Sequence, residues 1–130
     1  MKGPLDLARA LATKADHDLK MAEIGVEHEA PRDTVAFHLQ QTIEKLLKAF
    51  LHSRSIDPPR THDIIALLDI ATRHDASLEA FREPLLAMAS YAVDMRYDAD
   101  LDPSPDEIVA GLNAARTFRE KILSLLSAHP

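Results

Sequence analysis

Two places in the sequence carry side chains that can hold an anionic ligand. The first combines a polar helical face, which includes Lys45 and Lys48, with the triplet Thr61-His62-Asp63 that follows it. The second is the pair Arg96-Tyr97, which places a guanidinium fork next to an aromatic ring. Ammonium, imidazolium and guanidinium groups donate charge-assisted hydrogen bonds to phosphate and carboxylate oxygens. These two places are the candidate binding sites of the chain.

Each place also has an ordinary structural explanation. The polar face is typical of a solvated helix surface, on which Glu44 and Lys48 form an i,i+4 ion pair. The Thr61-His62-Asp63 triplet suits helix capping. Arg96 suits a helix end, where arginine binds the last carbonyl groups. Residue chemistry alone therefore favours a structural role at both places.

Other kinds of site are disfavoured by composition or spacing. The chain contains no cysteine, and its seven histidines never stand four residues apart, so we predict no bound metal and no cofactor. The acidic run from Asp98 to Asp102 resembles the start of a calcium loop. However, Pro103 and Val109 occupy the positions where such a loop requires glycine and glutamate. Three scattered glycines cannot form a phosphate-binding loop.

The composition indicates one cytoplasmic domain. A length of 130 residues is typical of a single domain, and residues 1–130 are predicted to form it. The lack of cysteine suits a reducing compartment. Neither a signal peptide nor an apolar span of about 20 residues is predicted. The formal net charge of −6 argues against broad, non-specific RNA binding.

The elements that must position the candidate residues are predicted to be helices. Apolar residues recur three and four positions apart in five segments, and glycine is scarce, which predicts an all-α protein. The segments cover residues 5–29, 33–53, 61–71, 78–95 and 104–125. Asp33, Thr61 and Ser104 are the expected N-caps, the last within a capping box. Pro84 predicts a kink or a new helix start. Short connections predict a four- to five-helix up-and-down bundle.

Several of these segments resemble the HEPN family, the nucleotide-binding helical domain of higher eukaryotes and prokaryotes. The similar positions are Asp18-Leu19-Lys20-Met21-Ala22, then Phe37-His38-x-x-Gln41-x-x-Glu44-Lys45-x-x-Lys48-Ala49, then Thr61-His62-Asp63-Ile64 with Leu67-Leu68, and finally Tyr91 with Arg96-Tyr97. Each piece is short, and their order and spacing over nearly the whole chain make the resemblance specific. The chain resembles the type of HEPN domain that is associated with a minimal nucleotidyltransferase.

The resemblance implies a helical bundle that commonly forms a homodimer. Many HEPN domains accompany a minimal nucleotidyltransferase, as a partner protein or in a toxin–antitoxin pair. Others are metal-independent ribonucleases with an R-x(4–6)-H motif, in which histidine performs acid–base chemistry and arginine holds the phosphate. No suitably placed histidine follows the arginines that we compared with this motif, which are Arg54, Arg73, Arg82, Arg96 and Arg119. The family's nuclease residues are therefore not carried over, and no catalytic residue is predicted.

The leading hypothesis is a HEPN-like module that dimerises and binds a nucleotide, or a partner minimal nucleotidyltransferase that carries one. Its ligand-binding residues would be Lys45, Lys48, His62, Arg96 and Tyr97. The cations would meet phosphates, and the ring of Tyr97 would stack on a base. Two alternatives stay open. One is a metal-independent ribonuclease toxin in which His62 or His38 replaces the missing histidine, and the other is a structural interaction domain without a ligand.

Overall fold

The described part of the chain folds into helices. The computed structural model of the protein describes residues 3–97 and 102–128, and of residues 91–97 and 128 it describes the backbone alone. Those residues form five α-helices and one short 3-10 helix, and they contain no β-strand. The elements are α1 (Pro4–Glu27), α2 (Arg32–Ser53), α3 (Ile64–His74), the 3-10 helix (Ala76–Phe81), α4 (Arg82–Tyr97) and α5 (Pro105–Ala128). The predicted all-α bundle is confirmed.

Helix α2 lies at the centre of the bundle and contacts each of the four other α-helices. Its apolar face includes Leu39, Ile43 and Phe50, which are fully buried. Because these side chains recur at helical spacing, one stripe of α2 faces the core. In the same core the ring of Phe118 meets that of Phe81 edge-on, with centroids 5.1 Å apart. Burial of apolar surface contributes about 25 cal/mol per Å² and is the main term that stabilises such a bundle.

Helices α1 and α2 form a tight hairpin. A Cβ atom on Gly25 would lie 2.7 Å from Cγ2 of Val35, so the absence of a side chain at Gly25 allows the two helices to approach. The chain reverses through Glu29, whose φ of 55° lies in the left-handed region. The backbone N–H of Ala30 then donates to the carbonyl oxygen of Gly25 at 2.8 Å. This hairpin places the polar side of α1, including Asp18, against α2.

The predicted N-cap of α2 is wrong by two residues. Pro31, not Asp33, precedes the first helical residue, and the carbonyl oxygen of Pro31 accepts the N–H of Val35 at 3.1 Å. Helical hydrogen bonding therefore begins at the proline itself. Asp33 instead lies in the first turn, where its carboxylate accepts the N–H of Thr34 at 2.8 Å. A negative charge in this turn is favoured by the helix dipole.

The predicted cap of α3 is also wrong by two residues. Asp63, not Thr61, is the N-cap, because its carboxylate accepts the N–H groups of Ile65 and Ala66 at 3.0 and 3.2 Å. The hydroxyl oxygen of Thr61 accepts the N–H of Asp63 at 3.1 Å and so supports the cap from outside the helix. Both residue types suit capping, and Asp63 is the one that directly precedes the first helical residue, Ile64.

The other two predicted boundaries are confirmed. The hydroxyl of Ser104 accepts the N–H of Glu107 at 3.1 Å, and the carboxylate of Glu107 accepts the N–H of Ser104 at 2.9 Å. This reciprocal pair is the capping box expected at the start of α5. Pro84 lies in the first turn of α4, which begins at Arg82 directly after the 3-10 helix. The proline therefore marks a new helix start, where its missing N–H costs no helical hydrogen bond.

Candidate functional site

One face of α2 carries most of the predicted polar residues. Positions 38, 41, 45 and 48 recur three and four residues apart, so His38, Gln41, Lys45 and Lys48 line one side of the helix. The side chains of Lys45 and Lys48 are only 26% and 20% exposed. This face is therefore half-buried rather than a solvated helix surface.

Asp18 of α1 anchors the first group on this face. Its side chain is 13% exposed, and its Oδ1 lies 2.9 Å from Nδ1 of His38. Its other oxygen, Oδ2, accepts a short hydrogen bond from Nζ of Lys45. One carboxylate thus holds an imidazole and an ammonium group side by side. Asp18, His38 and Lys45 are termed the Asp18 cluster.

Glu44 anchors a second group further along α2. Its side chain is 8% exposed, and its Oε2 accepts a hydrogen bond from Nζ of Lys48 at 3.1 Å. Its Oε1 lies 3.0 Å from Nδ1 of His62, a residue of the segment between α2 and α3. The side chain of His62 is 80% exposed. Glu44, Lys48 and His62 are termed the Glu44 cluster.

Each carboxylate is shared by two groups that can carry positive charge. A carboxylate removed from water is stable only when charged or hydrogen-bonded partners replace the lost water. The two lysines balance the charge of the two carboxylates, and each imidazole adds a further hydrogen-bonding group to its cluster.

The two clusters have the donors that an oxyanion requires. A lysine ammonium has three N–H donors, and the described residues accept one from Lys45 and one from Lys48. Two donors of each lysine are therefore not used within the described part of the chain. The carboxylates also hold the lysine side chains in one place, which reduces the side-chain entropy lost when a ligand binds.

Three of the five predicted ligand-binding residues lie on this surface. Lys45 belongs to the Asp18 cluster, whereas Lys48 and His62 belong to the Glu44 cluster. Arg96 and Tyr97 stand in the last turn of α4. Their side chains lie outside the described residues, so their part in binding stays a prediction.

The two anchoring acids were not predicted as site residues. Glu44 was expected to be a solvated partner of Lys48, and Asp18 was noted only as part of a family motif. A signal was present in the sequence, because each acid directly adjoins a core residue, Leu19 or Ile43, at the border of an apolar stripe. A charge at such a border requires a partner, which makes it a candidate anchor.

One arginine–histidine pair does have the R-x(4–6)-H spacing, contrary to the expectation that the motif is missing. Arg32 and His38 stand six positions apart on α2. Their side chains have different partners: Nε of Arg32 donates to the carbonyl oxygen of Pro103 at 2.6 Å, and its Nη2 lies 3.1 Å from Asp102. His38 is held by Asp18 instead. The pair lies in the first two turns of α2, and its two side chains do not contact each other within the described residues.

Several groups with shifted pKa values stabilise other parts of the bundle. A hydrogen bond from the hydroxyl of Ser77 lowers the pKa of Asp75, which caps the 3-10 helix. Hydrogen bonds to Asp16 raise the pKa of Arg119, whose Nε lies 2.6 Å from a carboxylate oxygen of Asp16. This second contact links α5 to α1. Both contacts have a structural role.

Comparison with protein families agrees with this geometry. The model of the HEPN domain matches residues 8–125, which is nearly the whole chain. The chain therefore belongs to the HEPN family, as its motifs predicted. HEPN domains are helical modules of the nucleotide-binding or ribonuclease-like kind. A comparison with curated proteins gave no match.

Two further features bear on the kinds of ligand to consider. No described helix combines the length and apolar character needed to cross a bilayer. In the part of the chain whose side chains are described, no three His, Asp or Glu side chains are grouped so as to hold a metal ion.

Proposed function

We propose that this HEPN domain binds the phosphate groups of a nucleotide on the polar, half-buried face of α2, without catalysing a reaction. The observation that supports the proposal is the placement of Lys45, Lys48 and His62 around two carboxylates that are largely removed from water, Asp18 at 13% exposure and Glu44 at 8%. Buried ion pairs are costly to assemble, and a plain solvated face does not require them. A binding surface benefits from them, because they fix the donors before the ligand arrives.

The lysines and the histidine bind the phosphate oxygens in this proposal. The two lysines supply charge-assisted N–H donors, and His62 adds a third when its imidazole is protonated. Arg96 and Tyr97 belong to the same proposal through the family resemblance. The guanidinium group of Arg96 would bind a phosphate through two hydrogen bonds, and the ring of Tyr97 would stack on a base. Arg96→Lys is then expected to weaken nucleotide binding by about 1–3 kcal/mol, because lysine cannot form the bidentate contact. The melting temperature should stay unchanged.

Calorimetric titration with ADP tests the phosphate site. The double variant Lys45→Ala/Lys48→Ala should raise the dissociation constant about tenfold or more, since hydrogen bonds to charged groups are lost. The matched control is Lys14→Ala/Lys20→Ala, which removes the same charge from two exposed positions of α1. A control variant that loses as much affinity, or a wild-type protein that binds no ADP, would refute the proposal.

Homodimerisation is the second part of the proposal. It is supported by the resemblance and by exposed apolar side chains, such as Leu86 and Val109, which are 52% and 50% exposed. Exposed apolar patches often mark a protein interface. Sedimentation at high micromolar concentration should therefore show a dimer, and a monomer under these conditions would contradict this part.

A partner protein is the third part. The resemblance points to a minimal nucleotidyltransferase, as in toxin–antitoxin pairs. Purification of the chain from its native host should recover such a protein together with bound nucleotide. Recovery of the chain alone, free of nucleotide, would instead support a purely structural domain.

A metal-independent ribonuclease is the second candidate function. It is favoured by the way His38 and His62 each direct Nδ1 towards a carboxylate, that of Asp18 or of Glu44, an arrangement that orients an imidazole for acid–base chemistry. The Arg32–His38 spacing adds to this candidate. The purified protein should then cleave single-stranded RNA in the presence of EDTA, and His38→Gln or His62→Gln should abolish the cleavage. Cleavage that both variants retain would come from another source.

A further inference from the structure

We infer that an apolar groove next to the Asp18 cluster receives the base of the bound nucleotide. This inference rests on the proposed phosphate site and extends it to a second subsite. The groove lies where the end of α1 meets the start of α2, and its volume is about 140 Å³. Its lining includes Met21, Ile24, Val35 and His38.

The groove and the phosphate site share a residue. His38 lines the groove, and its Nδ1 also lies 2.9 Å from the carboxylate of Asp18. The same carboxylate accepts the hydrogen bond of Lys45. The groove is therefore linked to the ammonium group of Lys45 through the imidazole of His38 and the carboxylate of Asp18.

Two apolar side chains that line the groove are exposed. Met21 is 51% exposed and Ile24 is 39% exposed, whereas Val35 of the same lining is buried. Phe37 does not line the groove, but it is 53% exposed and its ring meets that of the lining residue His38 edge-on, with centroids 5.5 Å apart. Nucleic-acid bases bind to surfaces of this kind, where flat rings stack on aromatic and apolar side chains.

The rim of the groove can also recognise the edge of a base. His28 and Thr34 line the same groove and carry an imidazole and a hydroxyl group. Both groups are able to donate and accept hydrogen bonds, as the edges of bases require. The hydroxyl of Thr34 donates to the carboxylate of Asp33 at 3.4 Å, so its oxygen can accept a hydrogen bond from a base. The occupant that suits the apolar walls, the polar rim and the neighbouring cations together is a nucleoside phosphate.

The order of the groups along α2 indicates the length of the ligand. His38 and Lys48 stand ten positions apart, and a helix rises about 1.5 Å per residue, so they are separated by about 15 Å along its axis. Lys45 lies between them. If the base of a nucleotide lies in the groove, its phosphate chain reaches the Asp18 cluster first and the Glu44 cluster next. Two successive cationic positions suit a nucleoside diphosphate or a longer polyphosphate.

The test compares ADP with inorganic pyrophosphate, which has two linked phosphate groups but neither ribose nor base, and the groove variant then isolates the contribution of the base. The wild-type protein should bind ADP about tenfold more tightly than pyrophosphate, in line with the strength of base stacking. The variant Met21→Ser/Ile24→Ser should bring the affinity for ADP close to that for pyrophosphate and leave pyrophosphate binding unchanged. The control is Leu7→Ser, at a position of α1 with a similar exposure of 42%, and it should alter neither affinity.

The outcomes separate this inference from the proposed function. Equal affinities for ADP and pyrophosphate, or ADP binding that survives in Met21→Ser/Ile24→Ser, would overturn the base subsite while the phosphate site stands. Loss of both affinities in that variant would do the same, provided that its circular dichroism melt matches that of the wild type. Binding of neither ligand by the wild-type protein, or binding that Lys45→Ala/Lys48→Ala leaves intact, would overturn the phosphate site and the subsite together.

Discussion

Nδ1 of His62 lies 3.0 Å from Oε1 of Glu44, although His62 is 80% exposed and Glu44 only 8%. A buried carboxylate thus holds an imidazole that stands almost wholly in water. The same carboxylate binds Lys48, so one acid positions two groups at the surface of the bundle. The acid is a structural anchor, and the groups that it holds remain available to a ligand.

Removal of this anchor should destabilise the fold. Glu44→Ala leaves the half-buried Lys48 without its carboxylate, which should reduce the free energy of unfolding by about 1–3 kcal/mol. Urea unfolding of the variant and the wild type measures the difference. The control is Glu79→Ala, because Glu79 also forms an ion pair, with Arg82, but its side chain is 56% exposed. A Glu44→Ala variant that is no less stable than this control would contradict the anchoring role.

Gly25→Ala should destabilise the α1–α2 hairpin. The new Cβ atom would lie 2.7 Å from Cγ2 of Val35, and overpacking of this kind costs about 1–3 kcal/mol. The gain in helix propensity offsets at most about 1 kcal/mol, so a net loss is expected in urea unfolding. Val35→Ala removes the clashing methyl groups, and the cost of Gly25→Ala should shrink in that background. If the cost is equal in both backgrounds, the close approach is not its cause.

Local patterns were sufficient to predict the helices. Three- and four-residue spacing predicted the helical segments, and the Ser104 capping box predicted the start of α5. The family pattern indicated Lys45, Lys48 and His62, which lie on one surface, and their part in binding stays a prediction. Each of these features depends on residues that are close in the chain or on a known family pattern.

Contacts between distant residues were not predictable in the same way. Asp18 stands 27 positions before Lys45, and no local rule pairs the two. The capping of α3 was ambiguous, because Thr61 and Asp63 are both good N-caps. Only the fold shows which of the two side chains accepts the first N–H groups of the helix. Whether a lysine is solvated or held by a carboxylate depends on the neighbouring helix. The burial of the α2 face could therefore not be predicted without knowing how α1 packs against it.

The most direct test of the phosphate site is a titration with ADP that is monitored by 1H–15N correlation spectra. If the phosphates bind on the α2 face, the largest shift changes should fall on the amides of residues 38–48 and of His62. The charged groove between α1 and α5, which includes Arg116 and Arg119, serves as the internal comparison. Changes confined to that groove, or no change at millimolar ADP, would contradict the account.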